Sequence, residues 1–267
     1  MGGRRSAATR VNSILLRSQP HRGTRSRLRA VLAVLALSSA AGCTLRSALP
    51  STHLEDPSDP ESELLDAVGL GDAAEVEELL DEGGDVSQLT PEGFTLLMIA
   101  SEDGHPDVVA TLIEHGADVT AETPQGVTAA VLAAAKGNVE ILERLVDRGA
   151  DAGKATKVGT TPLMAAAVGG SLETVQLLLS HHVAIDGVDA EGLSALMFAA
   201  ANGHADVVGL LLGHGAKTDI RNRAGDTASS LARRARHPQV EAMLRGPVGP
   251  RSGAGSRHAD APRAASP

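Results

Sequence analysis

Apolar positions in the middle of the chain follow a helical spacing. One stripe joins Val108–Val109 to Leu112–Ile113, and the same spacing recurs at Val175 with Leu178–Leu179. Side chains three and four positions apart lie on one face of a helix. The pattern therefore predicts short helices that each bury one face.

The whole pattern, stripes and connecting segments together, repeats with a period of 33 residues. Three glycine columns and one alanine column keep this step: Gly93, Gly126, Gly159, Gly192 and Gly225; Gly71, Gly104, Gly137, Gly170 and Gly203; Gly83, Gly116, Gly149 and Gly215, with His182 in place of the fourth; and Ala67, Ala100, Ala133, Ala166, Ala199 and Ala232. Four columns that share one period indicate an internal repeat.

Each repeat carries the start and stop signals of two helices. Thr161 occupies a helix N-cap position and Pro162 the first helical position, where its missing N–H costs nothing. The second glycine column ends the first helix, and the third ends the second helix in the left-handed conformation. The second helix is predicted to be capped by a column of mostly suitable residues, Asp72, His105, Asn138, Ser171 and His204.

The repeat resembles the ankyrin repeat, most clearly in GFTLLMIASEDGHPDVVATLIEHGADV (93–119) and GLSALMFAAANGHADVVGLLLGHGA (192–216). The resemblance implies an all-α solenoid of stacked helix–turn–helix units with short β-hairpin loops. It covers residues 62–246 in about six units, beginning near residues 62, 90, 123, 156, 189 and 222. The first unit lacks its first half, and the last is basic and has lost its middle glycine, as an end cap would.

The repeats depart from the ankyrin pattern at three places. The histidine that ties neighbouring ankyrin repeats is replaced, and its column holds Met98, Val131, Met164, Met197 and Ser230. The hairpins hold few of the aspartates usual at their tips. In the fourth unit His182-Val183-Ala184 replaces Gly-Ala-Asp, so either His182 adopts the left-handed conformation or the helix before it ends differently.

The N-terminus has the basic, apolar, small order of a secretory signal peptide, predicted over residues 1–42. Cys43 follows Ala40-Ala41-Gly42, which resembles the lipobox of bacterial lipoproteins. Lipidation of Cys43 would give an outer-membrane lipoprotein facing the periplasm, whereas cleavage near Ala41 would give a soluble periplasmic protein. A cytoplasmic adaptor with a misassigned start is the alternative. Residues 43–61 are predicted to be a tether and 247–267 a disordered tail.

Composition and charge narrow the class of partner. The chain has two Phe and neither Trp nor Tyr, so it lacks aromatic platforms for stacking on bases or sugars. Residues 1–42 hold eight arginines and no acid, whereas the remainder carries 16 basic and 33 acidic residues. Such an acidic body repels phosphate backbones and anionic lipid. We therefore expect no nucleic-acid partner, and membrane attachment only through an N-terminal lipid.

Candidate chemical motifs are weak. His115, His181 and His214 share a column with Arg148 at the C-terminus of the second helix, where cationic groups are favoured. The segment from Gly149 to Lys154 lacks the spacing of a phosphate-binding loop. The sequence predicts no catalytic residue, no metal site and no cofactor. An ankyrin array attached to a hydrolase is disfavoured, because the flanking segments 44–61 and 246–267 are short.

The resemblance implies that hairpin tips and first helices line a concave groove that binds a protein. Apolar side chains after the first glycine have no local burial role, so they are predicted to contact the partner; that they pad neighbouring hairpins is the alternative. The candidate residues are Phe94, Val127 and Leu193; Glu92, Gln125 and Glu191 in the hairpins; and Glu102, Asp103, Lys136 and Asn202 at the ends of the first helices. Acidic residues toward the N-terminal repeats suggest a partner with a basic patch. We expect the protein itself to be a monomer.

Overall fold

The computed structural model describes residues 60–245. The predicted signal peptide (1–42), Cys43, all but the last two residues of the tether (43–61) and the tail (247–267) lie outside the described residues. Within residues 60–245, six helix pairs follow one another along the chain. They are α1 (Pro60–Leu70) and α2 (Ala73–Asp81); α3 (Leu96–Asp103) and α4 (Pro106–Glu114); α5 (Ala129–Lys136) and α6 (Val139–Asp147); α7 (Pro162–Gly169) and α8 (Leu172–Ser180); α9 (Ala195–Asn202) and α10 (Ala205–Gly213); and α11 (Ala228–Arg234) and α12 (Pro238–Arg245).

The helix pairs stack into a solenoid with two layers. Each first helix contacts the first helix of the next unit from α1 to α11, and the second helices do the same from α2 to α12. The alanine column, Ala67 to Ala232, is fully buried in the layer of first helices, where a methyl group permits close packing. The all-α repeat architecture is confirmed. No helix among the described residues is both long and apolar enough to span a bilayer.

The predicted caps of the first helices are confirmed. In five units the N-cap hydroxyl accepts a hydrogen bond from the backbone N–H three residues later, at 3.2–3.4 Å; the N-caps are Thr95, Thr128, Thr161, Ser194 and Thr227. Four of these helices then end at a left-handed glycine. The sequence signals therefore account for the start of five first helices and the end of four.

The cap column of the second helices is only partly as predicted. Asp72 and Ser171 cap their helices through their side chains. The prediction is wrong for the other three, whose side chains instead reach a carbonyl oxygen of the preceding unit: His105 to Gly69 (3.3 Å), Asn138 to Ser101 (3.2 Å) and His204 to Val168 (3.0 Å). These hydrogen bonds join neighbouring units, although the usual ankyrin histidine is replaced.

His182 adopts the left-handed conformation, with φ of 55°. The glycines in the same column, Gly83, Gly116, Gly149 and Gly215, have φ between 83° and 100°. The turn is therefore kept although the fourth unit has lost its glycine. In the last unit Arg236, with φ of 64°, takes the place of the missing middle glycine in the same way.

Replacing His182 by glycine is expected to stabilise the stack by about 0.5–1 kcal/mol. A side chain in the left-handed region costs about 1–2 kcal/mol, and the greater freedom of glycine in the unfolded chain offsets part of the gain. Urea unfolding followed by circular dichroism should show a higher midpoint. Arg236→Gly should act in the same direction, and a lower midpoint for His182→Gly would contradict the argument.

Candidate functional site

The hairpin tips are built by one column of short polar residues. A side-chain oxygen of each accepts a hydrogen bond from the backbone N–H four residues later, at 2.8–3.2 Å; the column is Thr90, Thr123, Thr156, Asp189 and Asn222. Threonine thus forms the turn in three units where ankyrin repeats usually have aspartate. Two isolated antiparallel bridges, Leu89–Thr95 and Val188–Ser194, are the strand-like pairing within residues 60–245.

Neighbouring hairpins are joined by backbone hydrogen bonds. Lys157 N–H donates to the Gln125 carbonyl at 3.0 Å, and Ala190 N–H to the Val158 carbonyl at 2.8 Å. Arg223 N–H donates to the Glu191 carbonyl at 2.9 Å. The tips of units three to six therefore form a continuous row, which fixes the spacing of the side chains they carry.

A second row of side chains comes from the ends of the first helices. One column, spaced by 33 residues, is exposed in every unit: Leu70, Asp103, Lys136, Gly169, Asn202 and Ala235. The preceding column is half-buried in four units, at Gly69, Ala135, Val168 and Ala201. We call the hairpin row and this helix-end row together the groove surface.

The three apolar candidates differ in exposure although they share one column. Phe94 and Leu193 are half-buried and pack against the core. Val127 is only 3% exposed. The premise that this column has no local burial role is therefore wrong for Val127, whose side chain belongs to the core and offers no surface to a partner. Phe94 and Leu193 combine packing with a partly exposed face.

The polar candidates are mostly at the surface. Glu92, Gln125, Asp103, Lys136 and Asn202 are exposed. Glu191 forms an ion pair with Arg223 at 3.4 Å.

Glu102, predicted to contact the partner from the end of a first helix, is only 3% exposed. The first helix turns this position toward the protein, so its assignment to the groove surface is corrected.

Leu70 is a surface residue that the sequence analysis missed. It is 74% exposed, the highest value among the exposed large apolar side chains of the described residues. It lies one period before Asp103, at the start of the helix-end row. The 33-residue step could have identified Leu70 as the equivalent of Asp103. The first unit lacks its hairpin, however, so its alignment with the other units was less evident. Leu89 and Val188, three periods apart in the hairpins, are also exposed.

Comparison with known families decides the assignment. A family model described as "Ankyrin repeats (3 copies)" matches residues 64–156 and again residues 131–222, which together span more than half of the chain. The protein belongs to the ankyrin-repeat family. Among curated proteins, no match was found. Ankyrin repeats indicate a protein–protein interaction module, and their fold is typically a non-catalytic scaffold.

Within the ankyrin stack, Asp189 is a buried acid on the groove side. It is 5% exposed, and burial raises its pKa although the Leu193 and Glu191 N–H groups donate to its carboxylate and lower it. These two hydrogen bonds go to Oδ1, at 2.8 and 2.9 Å. Oδ2 is buried without a hydrogen-bond partner among the described residues. The hairpin thus keeps a buried charge that three other ankyrin units avoid by using threonine.

Asp189→Thr is expected to stabilise the protein by about 1 kcal/mol at pH 7, because it removes the buried charge and keeps the acceptor for the Leu193 N–H. Because the pKa of Asp189 is higher in the folded protein than in the unfolded chain, folding disfavours the ionised carboxylate. The gain should therefore be present at neutral pH and vanish as the pH falls below the ordinary Asp value of 3.8. Urea midpoints at pH 7 and pH 3 measure this difference. Thr156→Asp is the matched control and should destabilise at pH 7; a gain for Asp189→Thr that persisted at pH 3 would contradict the electrostatic cause.

His181 and His182 lie away from the groove surface. Together with Asp151 they line an open cleft of about 500 Å³ between the loops of the third and fourth units. Within residues 60–245, no three His, Cys, Asp or Glu side chains are grouped so that they could hold a metal ion. Asp151 instead forms its own turn, accepting the Gly153 N–H at 2.8 Å.

Proposed function

We propose that this ankyrin-repeat protein is a non-enzymatic binding module that docks a partner protein on its groove surface. The observation that carries the proposal is the contrast between buried and exposed columns. The alanine column of the first helices is buried in every unit, whereas the helix-end row beside it is exposed in every unit and varies from leucine to aspartate, lysine and asparagine. A regular scaffold that presents a variable exposed row suits recognition of another protein.

We also propose that the protein is exported and anchored in the bacterial envelope through a lipid on Cys43. Support comes from the arginine-rich leader, the apolar run from Ala30 to Leu37 and the small residues before Cys43. Metabolic labelling with a palmitate analogue should mark the wild-type protein and leave Cys43→Ala unlabelled. An unlabelled wild-type protein in the periplasmic fraction would favour ordinary signal-peptidase cleavage, and one in the cytoplasm would contradict export.

Affinity capture from envelope extract tests the docking surface. Gln125→Trp in the hairpin row and Asp103→Trp in the helix-end row each add a bulky ring to an exposed groove position. We expect each to lower the amount of captured partner at least about fivefold, because the ring obstructs close approach. Glu143→Trp, on the exposed side of α6 in the other layer, is the control and should capture as the wild type does. Loss of capture in the control alone would place the partner on the opposite face.

A further inference from the structure

Acidic and basic residues are unevenly distributed along the ankyrin stack. Residues 60–135 contain seventeen Asp and Glu residues and no Lys or Arg. Residues 217–245, in contrast, contain seven Lys and Arg residues and three acids. The negative charge is thus concentrated in units one and two and the positive charge at the last unit.

Two carboxylates of the C-terminal units form ion pairs with arginines. Glu191 pairs with Arg223 at 3.4 Å, and Asp226 pairs with Arg234 at 2.6 Å. Glu92 occupies the same hairpin position as Glu191, three units earlier, and Pro124 stands where Arg223 stands in the later pair. The equivalent carboxylate in the second unit therefore faces an uncharged neighbour.

Exposed apolar surface lies within the same negative region. Leu70 is 74% exposed and begins the helix-end row that continues to Asp103. Phe94, two residues after Glu92, is half-buried and keeps part of its ring at the surface. A few large side chains near the centre of an interface, surrounded by contacts that exclude water, usually carry most of the binding energy.

We propose, building on the function proposed above, that the docking surface is the N-terminal part of the groove and that its occupant is a cationic protein segment with an aliphatic or aromatic side chain. The lysines or arginines of this segment would face Glu92, whose neighbour in the next hairpin is Pro124 and not an arginine. Its apolar side chain would cover Leu70. The paired charges of units five and six have less to gain from such a partner, because their carboxylates already face arginines.

Titration of the full-length protein with a synthetic peptide tests this proposal. The probe is a fluorescein-labelled peptide in which Lys-Leu-Lys-Lys-Leu-Lys is repeated twice; matched peptides replace every Lys by Glu or every Leu by Ser. We expect the Lys-Leu peptide to bind and the Glu-Leu peptide not to bind. Leu70→Ser should weaken the Lys-Leu peptide about tenfold, and Glu92→Lys about fivefold at low salt and less at high salt. The matched controls Val188→Ser and Glu191→Lys should change its affinity less than about twofold.

Three other results of this titration would overturn the proposal. Equal weakening by Glu92→Lys and Glu191→Lys, or binding of the Glu-Leu peptide as tight as that of the Lys-Leu peptide, would overturn the proposal. Failure of the Lys-Leu peptide to bind would also overturn it. If capture from envelope extract remained sensitive to Gln125→Trp in that case, the proposed function would stand while the inferred partner chemistry would fall. Circular dichroism at 222 nm checks that all four variants are folded.

Discussion

Gly170→Ala is expected to lower the free energy of unfolding by about 3 kcal/mol. Gly170 ends α7 with φ of 75°, where a side chain costs about 1–2 kcal/mol. An added Cβ would also lie 2.5 Å from both Nδ1 and Cε1 of His204 in the next unit. That ring is held by its hydrogen bond to the Val168 carbonyl, so moving it adds an overpacking cost of about 1–3 kcal/mol.

Gly149→Ala is the matched control, because Gly149 has φ of 98° but open space where the Cβ would lie. It should lose only the conformational part, about 1–2 kcal/mol. The double variant Gly170→Ala with His204→Ala should recover part of the extra loss, since the ring that meets the Cβ is gone. Urea unfolding followed by circular dichroism measures all three. Equal losses at Gly170 and Gly149 would show that backbone conformation alone requires glycine here.

The two glycines show how far the fold could be predicted from sequence. The 33-residue period, the caps at Thr161 and its equivalents, and the left-handed helix ends depend on neighbouring residues, so they were predictable. The packing of the His204 ring over Gly170 depends on the distance between stacked units, about which the period says nothing. His105 and His204 were therefore assigned to capping, although both reach across to the preceding unit.

Exposure along the groove was harder to predict for the same reason. Phe94, Val127 and Leu193 hold one position in the repeat, yet Val127 is fully covered and the other two are not. Glu102 and Asp103 are adjacent, and only Asp103 is exposed. A column in the sequence gives the place of a residue in its unit, whereas exposure also depends on the direction in which the helix turns the side chain and on what the next unit covers. The composition of the candidate site was predictable, but its accessible surface was not.

Phe94→Ala is expected to weaken capture of the partner about tenfold or more, the loss typical of an aromatic anchor at an interface. The sequence pattern gives this column no local burial role, which predicts little effect on stability. The structure changes this expectation, because Phe94 packs against the core. Truncation of a half-buried ring should cost about 1–2 kcal/mol of folding free energy, less than at a fully buried site. The variant should therefore remain folded with a lower melting temperature.

Two further variants separate binding from packing. Phe94→Leu keeps most of the apolar volume, so it should restore the melting temperature more fully than it restores capture. Leu193→Ala changes the same column three units later and is also half-buried, so it should lower stability while leaving capture nearly unchanged if the partner lies over the N-terminal units. Capture by Phe94→Ala equal to that of the wild type, at a temperature where the variant is folded, would restrict Phe94 to packing between hairpins. The apolar centre of the docking surface would then be Leu70 alone, whose exposed side chain has no comparable packing role.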